Sequence, residues 1–315
     1  MRHWWGSEPS TGLPTGLVAV MCGCMTQTAG KAFGEREQSI AELARSDAER
    51  ALAEDVRGGD LTAALVDPGK RARARVIVRE PAVICGAPWV EAVIGQLEPD
   101  ARITWRVPEG GRAEPGQTVL EIEGSARALL SAERTALNFL QLLSAVATKT
   151  ARYVEAVQGT RAQIVDTRKT IPGLRMAEKY AVTVGGGINH RIGLFDAVLI
   201  KENHIAAAGG VTAALTRARE SARSAKFIQI EVETLDQLQE ALSAGATMVL
   251  LDNMDIPTIR RAVELTAGRA ILEVSGGVEL ETVRPYAETG VDRISIGTLT
   301  KDIEATDFSM RLTEV

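Results

Sequence analysis

The chain has 315 residues, 45% of them hydrophobic, and a formal net charge of −5. That length suits one large α/β barrel or two domains with a sizeable core. Slight acidity and 4% aromatics argue against a basic nucleic-acid surface or a stacking platform for single strands, though not against a local cluster of arginines in a cleft. The three cysteines, Cys22, Cys24 and Cys85, are too few and too irregular for a disulfide framework or a four-ligand zinc site, so a reducing cytoplasm is the simple expectation.

Residues 1–35 mix Gly, Thr, Ser and Pro without a period and read as a flexible extension. Their apolar run TGLVAVMCGCM is a weak secretory signal at best and falls short of the roughly 20 residues of a membrane span. From Glu35 the text EREQSIAELARSDAERALAEDV places Ile40, Leu43, Ala44, Ala48, Ala51 and Leu52 on one helical face, ending near Gly58-Gly59. Short alternating runs at 73–78, 81–86, 102–107 and 117–124, divided by Pro and Gly turns, predict a small sheet. A long helix is expected from Ser131, with Leu129, Ala136, Phe139, Leu140 and Leu143 on its buried side. Arg134, Asn138 and Gln141 share its other face, which the pattern alone reads as solvated.

After Gly159 the text alternates strand and helix. The runs AQIVDTRKT, FDAVLIKENH, KFIQIEVET, TMVLLDN, RAILEVSGG and DRISIGT predict an open or incomplete parallel β/α barrel. The expected division is an α/β sandwich at 36–145 and a barrel at 146–302, with the tail 303–315 packing on the sandwich.

In such a barrel the chemistry sits where strands end. Here the ends read Arg168-Lys169, Lys201-Glu202, Glu231 and Glu233, Asp252-Asn253, Ser275-Gly276-Gly277, and Ser295-Ile296-Gly297. A single charge at a strand end is commonly just solvated, but six ends divided into cationic, acidic and small groups form an ordered series. Arg and Lys grip carboxylates or phosphates, acids hold magnesium or ribose hydroxyls, and glycine loops offer backbone N–H groups to a phosphate. His190, Glu202 and His204 could be drawn as a metal triad, but Glu202 and His204 sit at i and i+2 where a strand is ending, and no Cys or third His supports them. The better expectation is that His190 and Arg191 extend the cationic group and His204 orients a loop.

The strings EDVRGGDLT (54–62), SAERTALNFLQLLSAVAT (131–148), DTRKTIPGLRMAEKYAVTVGGGINHRIGLFDAVLIKENHI (166–205), IEVET, VLLDNM, LEVSGGV and RISIGTLTK resemble the quinolinate phosphoribosyltransferase family over about residues 37–310. The resemblance implies an N-terminal α/β sandwich, an open barrel, and a homodimer whose sites each lie near the partner's N-terminal domain. It implies transfer of phosphoribose from phosphoribosyl diphosphate to quinolinate with magnesium and decarboxylation, giving nicotinate mononucleotide for NAD synthesis. It further implies that Arg134 is lent to the neighbouring subunit, and that Thr167, Arg168, Lys169, His190, Arg191 and Lys201 line the dicarboxylate pocket. Lys169, Glu231 and Asp252 are then catalytic, with the two acids near ribose and magnesium. Ser275, Gly276, Gly277, Ser295, Ile296 and Gly297 form the phosphate loops. One departure is Arg57-Gly58-Gly59, where the family usually has Gly-x-Gly. Two alternatives remain: a relative with the same fold and another ligand, such as one tied to metal or molybdate transport, and a barrel aldolase using Lys201 to form an imine.

Overall fold

The computed structural model describes residues 39–314; the extension 1–35, with Cys22 and Cys24, lies outside them. From Ala41 onward the chain packs as one unit. Helix α1 (Ile40–Asp55) buries Ala44, Asp47, Ala48 and Leu52, a stripe that differs from the expected one by admitting a carboxylate and leaving Ile40, Leu43 and Ala51 half-buried. Asp47 is accommodated because its Oδ2 accepts the indole N–H of Trp89 at 2.9 Å. The helix runs out at Arg57, which adopts φ 46°. That left-handed conformation favours glycine, so the departure from Gly-x-Gly falls on a turn that stores some strain.

The first half supplies β1 (Arg71–Val78), β2 (Ala82–Val83), helix α2 (Ala87–Leu97), β3 (Arg102–Trp105), β4 (Arg112–Ala113) and β5 (Thr118–Ser125). Along β1 the alanines and valines face inward and Arg71, Arg73 and Arg75 outward, the period of two of a half-buried strand. The run 81–86 yields only the two-residue β2, paired with β4. Its other N–H groups go elsewhere: Val83 and Cys85 donate to Thr148 Oγ1 and Ser144 Oγ at 2.8 and 3.0 Å.

Helix α3 (Ala126–Ala156) begins directly at the end of β5, five residues before the expected start at Ser131, and runs without a break through position 145. Ser125 provides the extended N-cap, and the helix-favouring ARALL continues from it.

The second half supplies β6 (Gln163–Val165), α4 (Arg175–Val184), β7 (Val198–Ile200), α5 (Glu202–Ala208), α6 (Val211–Ser221), β8 (Ile228–Val232) and α7 (Leu235–Ser243). There follow β9 (Met248–Asp252), α8 (Ile256–Thr266), β10 (Ile271–Ser275), α9 (Val283–Ala287), β11 (Arg293–Ser295), α10 (Thr298–Lys301) and β12 (Phe308–Glu314). Six strands form one parallel sheet in the order β6-β11-β10-β9-β8-β7. The first strand therefore lies beside the last, and β6 and β7 are left unpaired with each other, which makes the barrel open. β12 returns to the first half and pairs antiparallel with β1 from Ala72 to Val78, giving a sheet in the order β12-β1-β5-β3.

The run Gly185-Gly186-Gly187 shapes the open side. A side chain at Gly185 would lie 2.4 Å from the carbonyl oxygen of Ala147, and one at Gly187 would lie 2.8 Å from Thr150 Cγ2, while Gly186 takes φ +88°. The end of α4 can therefore rest directly on α3 and turn sharply, after which Ile188 makes a parallel bridge to Val165. Asn189, His190 and Arg191 are thus laid along the free edge of β6.

Candidate active site

The strands are parallel, so their C-terminal ends share one side of the sheet, and several side-chain contacts lie along those ends. At β7, the ammonium of Lys201 lies 3.3 Å from Glu231 Oε2 at β8. His204 fixes the loop there, its Nδ1 accepting the Lys201 N–H at 2.9 Å. Burial raises the Glu231 carboxyl above its ordinary range; Lys201 opposes the rise and the neighbouring charge of Asp252 adds to it.

Asp252 ends β9 in register with Ser275 of β10. Its Oδ2 accepts from the Asn253 amide at 2.8 Å. Gly276, at φ +110°, lets the Asn253 side chain pass: a Cβ there would fall 2.1 Å from its Oδ1. At β11 the Ser295 hydroxyl turns into the barrel and bonds Glu273, and the Ile296 N–H goes to the Val165 carbonyl at 2.9 Å. Gly297 is the close-approach residue, since a Cβ on it would lie 3.1 Å from Lys169 Cδ and 3.6 Å from its Nζ. The Lys169 chain thus lies across the β11 end, and its carbonyl accepts from Thr300 Oγ1 at 2.8 Å. Thr167 Oγ1 accepts the Lys169 N–H at 3.1 Å.

The remaining cations adjoin one another. Arg191 is buried, and its guanidinium is held below its usual value by burial first and then by the charge of Arg168. Arg168 Nε is buried without a partner. An orphaned guanidinium N–H next to a second arginine is a site that calls for an anion.

His190 is placed differently from what the sequence suggests. Its Nδ1 accepts the Arg191 N–H at 2.8 Å, and its Nε2 lies 2.6 Å from Gln229 Oε1 and 3.7 Å from Glu273 Oε1. Both ring nitrogens therefore engage protein groups inside the barrel. Arg134 also stands apart: it borders a groove of about 530 Å³ walled by α1, α3 and Pro172–Leu174, with no strand-end residue in its lining.

Several supporting residues escape a reading by strand ends. Asp166 and Lys179 form a fully buried ion pair, and Asp166 Oδ1 also accepts the His190 N–H at 2.8 Å. Burial raises the Asp166 carboxyl and lowers the Lys179 ammonium, each opposed by its partner. Arg175 bridges two loops, from Thr170 Oγ1 at 3.0 Å to the Ile192 carbonyl at 3.1 Å. Buried Glu178 accepts the Ile171 N–H at 3.1 Å, and burial pushes its carboxyl up to about 7. Asp196 receives the N–H groups of Ile192 and Gly193, both at 2.9 Å; burial would raise it, but these bonds and Lys226 bring it below its ordinary value. Asp166 lies in DTRKT, Arg175, Glu178 and Lys179 in GLRMAEKY, and Asp196 in GLFDA, and nothing in these strings marks the acids and the lysine as buried.

Comparison with known proteins matches this architecture. Residues 60–144 match the model of the quinolinate phosphoribosyl transferase N-terminal domain, and residues 146–311 that of the C-terminal domain. A nicotinate-nucleotide pyrophosphorylase (carboxylating) of Mycobacterium leprae is 42% identical over 278 residues, covering 86% of this chain and 98% of the relative. A probable enzyme of the same name from Bacillus subtilis is 39% identical over 260 residues, covering 82% and 90%. The structure of the nicotinate-nucleotide pyrophosphorylase from Francisella tularensis superposes with a TM-score of 0.84 at 41% identity, covering 89% of this chain and all of that one. Among the described residues no helix is long and apolar enough to cross a membrane. On domain matches that span both halves of the fold and relatives covered nearly end to end, the chain belongs to the quinolinate phosphoribosyltransferase family.

Proposed function

We propose that the protein joins quinolinate to phosphoribosyl diphosphate and releases diphosphate and carbon dioxide, giving nicotinate mononucleotide for NAD synthesis in the cytoplasm. The observation that carries this reading is the adjacent Arg168 and Arg191, with a buried Arg168 Nε that has no partner among the described residues. Such a cluster suits a dianion, and Lys201 at the far edge of the open barrel suits a second carboxylate. Lys201 is ion-paired with Glu231, an arrangement that fits carboxylate binding better than imine formation.

In this reading Thr167, Arg168, Arg191 and Lys201 hold the dicarboxylate, and His190 supports them from below. Lys169 lies against Gly297 and attends the departing diphosphate. The backbones of Ser275–Gly277 and Gly297 face the ribose phosphate. Ser295 and Ile296 hold that loop in place, since their hydroxyl and N–H are bonded within the barrel.

As the bond from C1 to diphosphate breaks, positive charge develops on the ribose, and Glu231 and Asp252 lie on the side that stabilises it. Attack by the pyridine nitrogen leaves a cationic ring, which accepts the electron pair released when the adjacent carboxylate departs as carbon dioxide. No lysine imine is needed for this step. Glu231 and Asp252 also suit magnesium, which takes one or two carboxylates and completes its shell with water and substrate phosphates. Bound there, it would neutralise charge on the diphosphate. The groove at Arg134, walled by α1, α3 and Pro172–Leu174, is consistent with a homodimer in which Arg134 serves the partner's dicarboxylate pocket.

The test is product formation from quinolinate, phosphoribosyl diphosphate and magnesium. Nicotinate mononucleotide and carbon dioxide are expected in equal amounts. Absence of both products under conditions where the protein is folded would remove the assignment, and reductive trapping of a substrate on Lys201 by borohydride would favour the aldolase reading instead.

A further inference from the structure

Beneath the strand ends lies a polar group of residues that the roles above leave unused. Gln229 on β8 and Glu273 on β10 are both fully buried. Glu273 accepts the Ser295 hydroxyl and sets the same oxygen, Oε1, 3.7 Å from His190 Nε2. Among the described residues its other oxygen, Oε2, has no partner, and neither does Gln229 Nε2.

A carboxylate in a barrel interior is costly unless paired, and an orphaned oxygen adds to the cost. In register with Glu273 stand apolar Leu250 on β9 and Arg293 on β11. What the carboxylate adds is connection. On one side it faces His190, whose backbone N–H is fixed by Asp166 and whose ring receives the Arg191 N–H. On the other it holds Ser295, which begins the turn leading to Gly297 and Lys169.

The tautomer follows from the same bonds. Nδ1 accepts the Arg191 N–H, so the ring proton sits on Nε2 and is donated to Gln229 Oε1 at 2.6 Å. The groups facing His190 are then Asp166 from β6, Lys179 from α4 through the His190 carbonyl, Gln229 from β8, Glu273 from β10, and the adjacent Arg191.

We infer that Glu273 is a positioning residue. It bonds the base of the phosphate loop through Ser295 and, without a hydrogen bond, sets its negative charge 3.7 Å from Nε2 of His190 at the base of the arginine cluster, and so favours one distance between the two substrates. This rests on the proposed transferase reading. A tie of this kind acts on the reacting geometry rather than on either binding pocket alone, and small misplacements of reacting groups cost rate steeply.

Two measurements test it. In steady-state kinetics Glu273→Gln lowers kcat at least tenfold and leaves both KM values within about threefold. Adding Ser295→Ala to Glu273→Gln costs less than a further twofold, because the two act through one contact. An unchanged kcat, or losses that multiply, overturns the proposal. Should Glu273→Gln fail to fold, Ser295→Ala alone must still lower kcat, and normal turnover in it is equally decisive.

The second measurement uses the ring nitrogens directly. The chain has three histidines, so 15N spectra of the imidazoles are readily assigned with a His190→Gln reference. His190 is expected with its proton on Nε2, and Glu273→Gln displaces that resonance while His204 stays in place. A proton on Nδ1, or an unmoved Nε2 resonance, contradicts the tie. No substrate is required, so this result stands apart from the assay: wild-type protein inactive on quinolinate would remove the functional reading and leave the tie to be judged on its spectrum.

Discussion

Glu178 shows how one buried side chain can shape both stability and site. It is fully buried on α4 and accepts the Ile171 N–H, which pins the loop carrying Arg168 and Lys169. Burial raises its carboxyl from 4.5 to about 7. The sign follows from linkage: the folded state takes up this proton more readily than the unfolded chain. The contribution is therefore fully present below about pH 4.5 and is lost as the pH rises to about 7. At about 1.4 kcal/mol per pH unit the loss is at most about 3–4 kcal/mol. Denaturant titrations across that window should show the advantage of Glu178→Gln over wild type growing with pH, and a constant difference between the two would discount the buried carboxyl. Residues of this kind are hard to read from sequence, because RMAEKY as text offers an amphipathic helix whose acid and base would normally be solvated. Arg57 is the converse: as text it is only a departure from Gly-x-Gly, and the backbone shows its consequence as φ 46°.

At the scale of elements, the six barrel strands are legible because each is a short aliphatic run closed by polar residues, and helical text separates them. The elements that escape are those defined by long-range pairing. β4 is two residues long and exists only through β2, and β12 is a strand because β1 offers it an edge. The direct passage from β5 into α3 is likewise invisible, since no turn residue marks it. The candidate site shows the same division. Its residue types can be read at the strand ends, but whether a side chain points outward or into the barrel cannot, as His190 and Ser295 illustrate. The glycine run before His190 is an element-scale device, and its role is steric at Gly185, where φ is −74°. Gly185→Ala would drive a methyl group to 2.4 Å from the Ala147 carbonyl and 2.7 Å from Thr150 Cβ. Neither neighbour can yield without parting α4 from α3, so a loss of about 1–3 kcal/mol is expected. Thermal unfolding measures it, and an unchanged midpoint would show that the helices are less closely joined than described.

For the whole molecule, the open barrel and the sheet are joined by α3, which spans both, and by β12, which carries the chain's end back to β1. These connections leave the strand ends as one continuous rim: Lys201 touches Glu231, Asp252 stands in register with Ser275, Ser295 is bonded through Glu273 toward His190, and Lys169 lies against Gly297. The central claim is that the cations of this rim bind a dicarboxylate for phosphoribosyl transfer. The most direct measurement is steady-state turnover of quinolinate by Arg168→Ala and Lys201→Ala beside wild type. Each variant is expected to lose at least tenfold in kcat/KM for quinolinate, the cost of one charge-assisted contact of about 1.5–3 kcal/mol, while remaining folded. Near-normal turnover in either variant would contradict the account at that residue, and in both would remove the dicarboxylate pocket altogether.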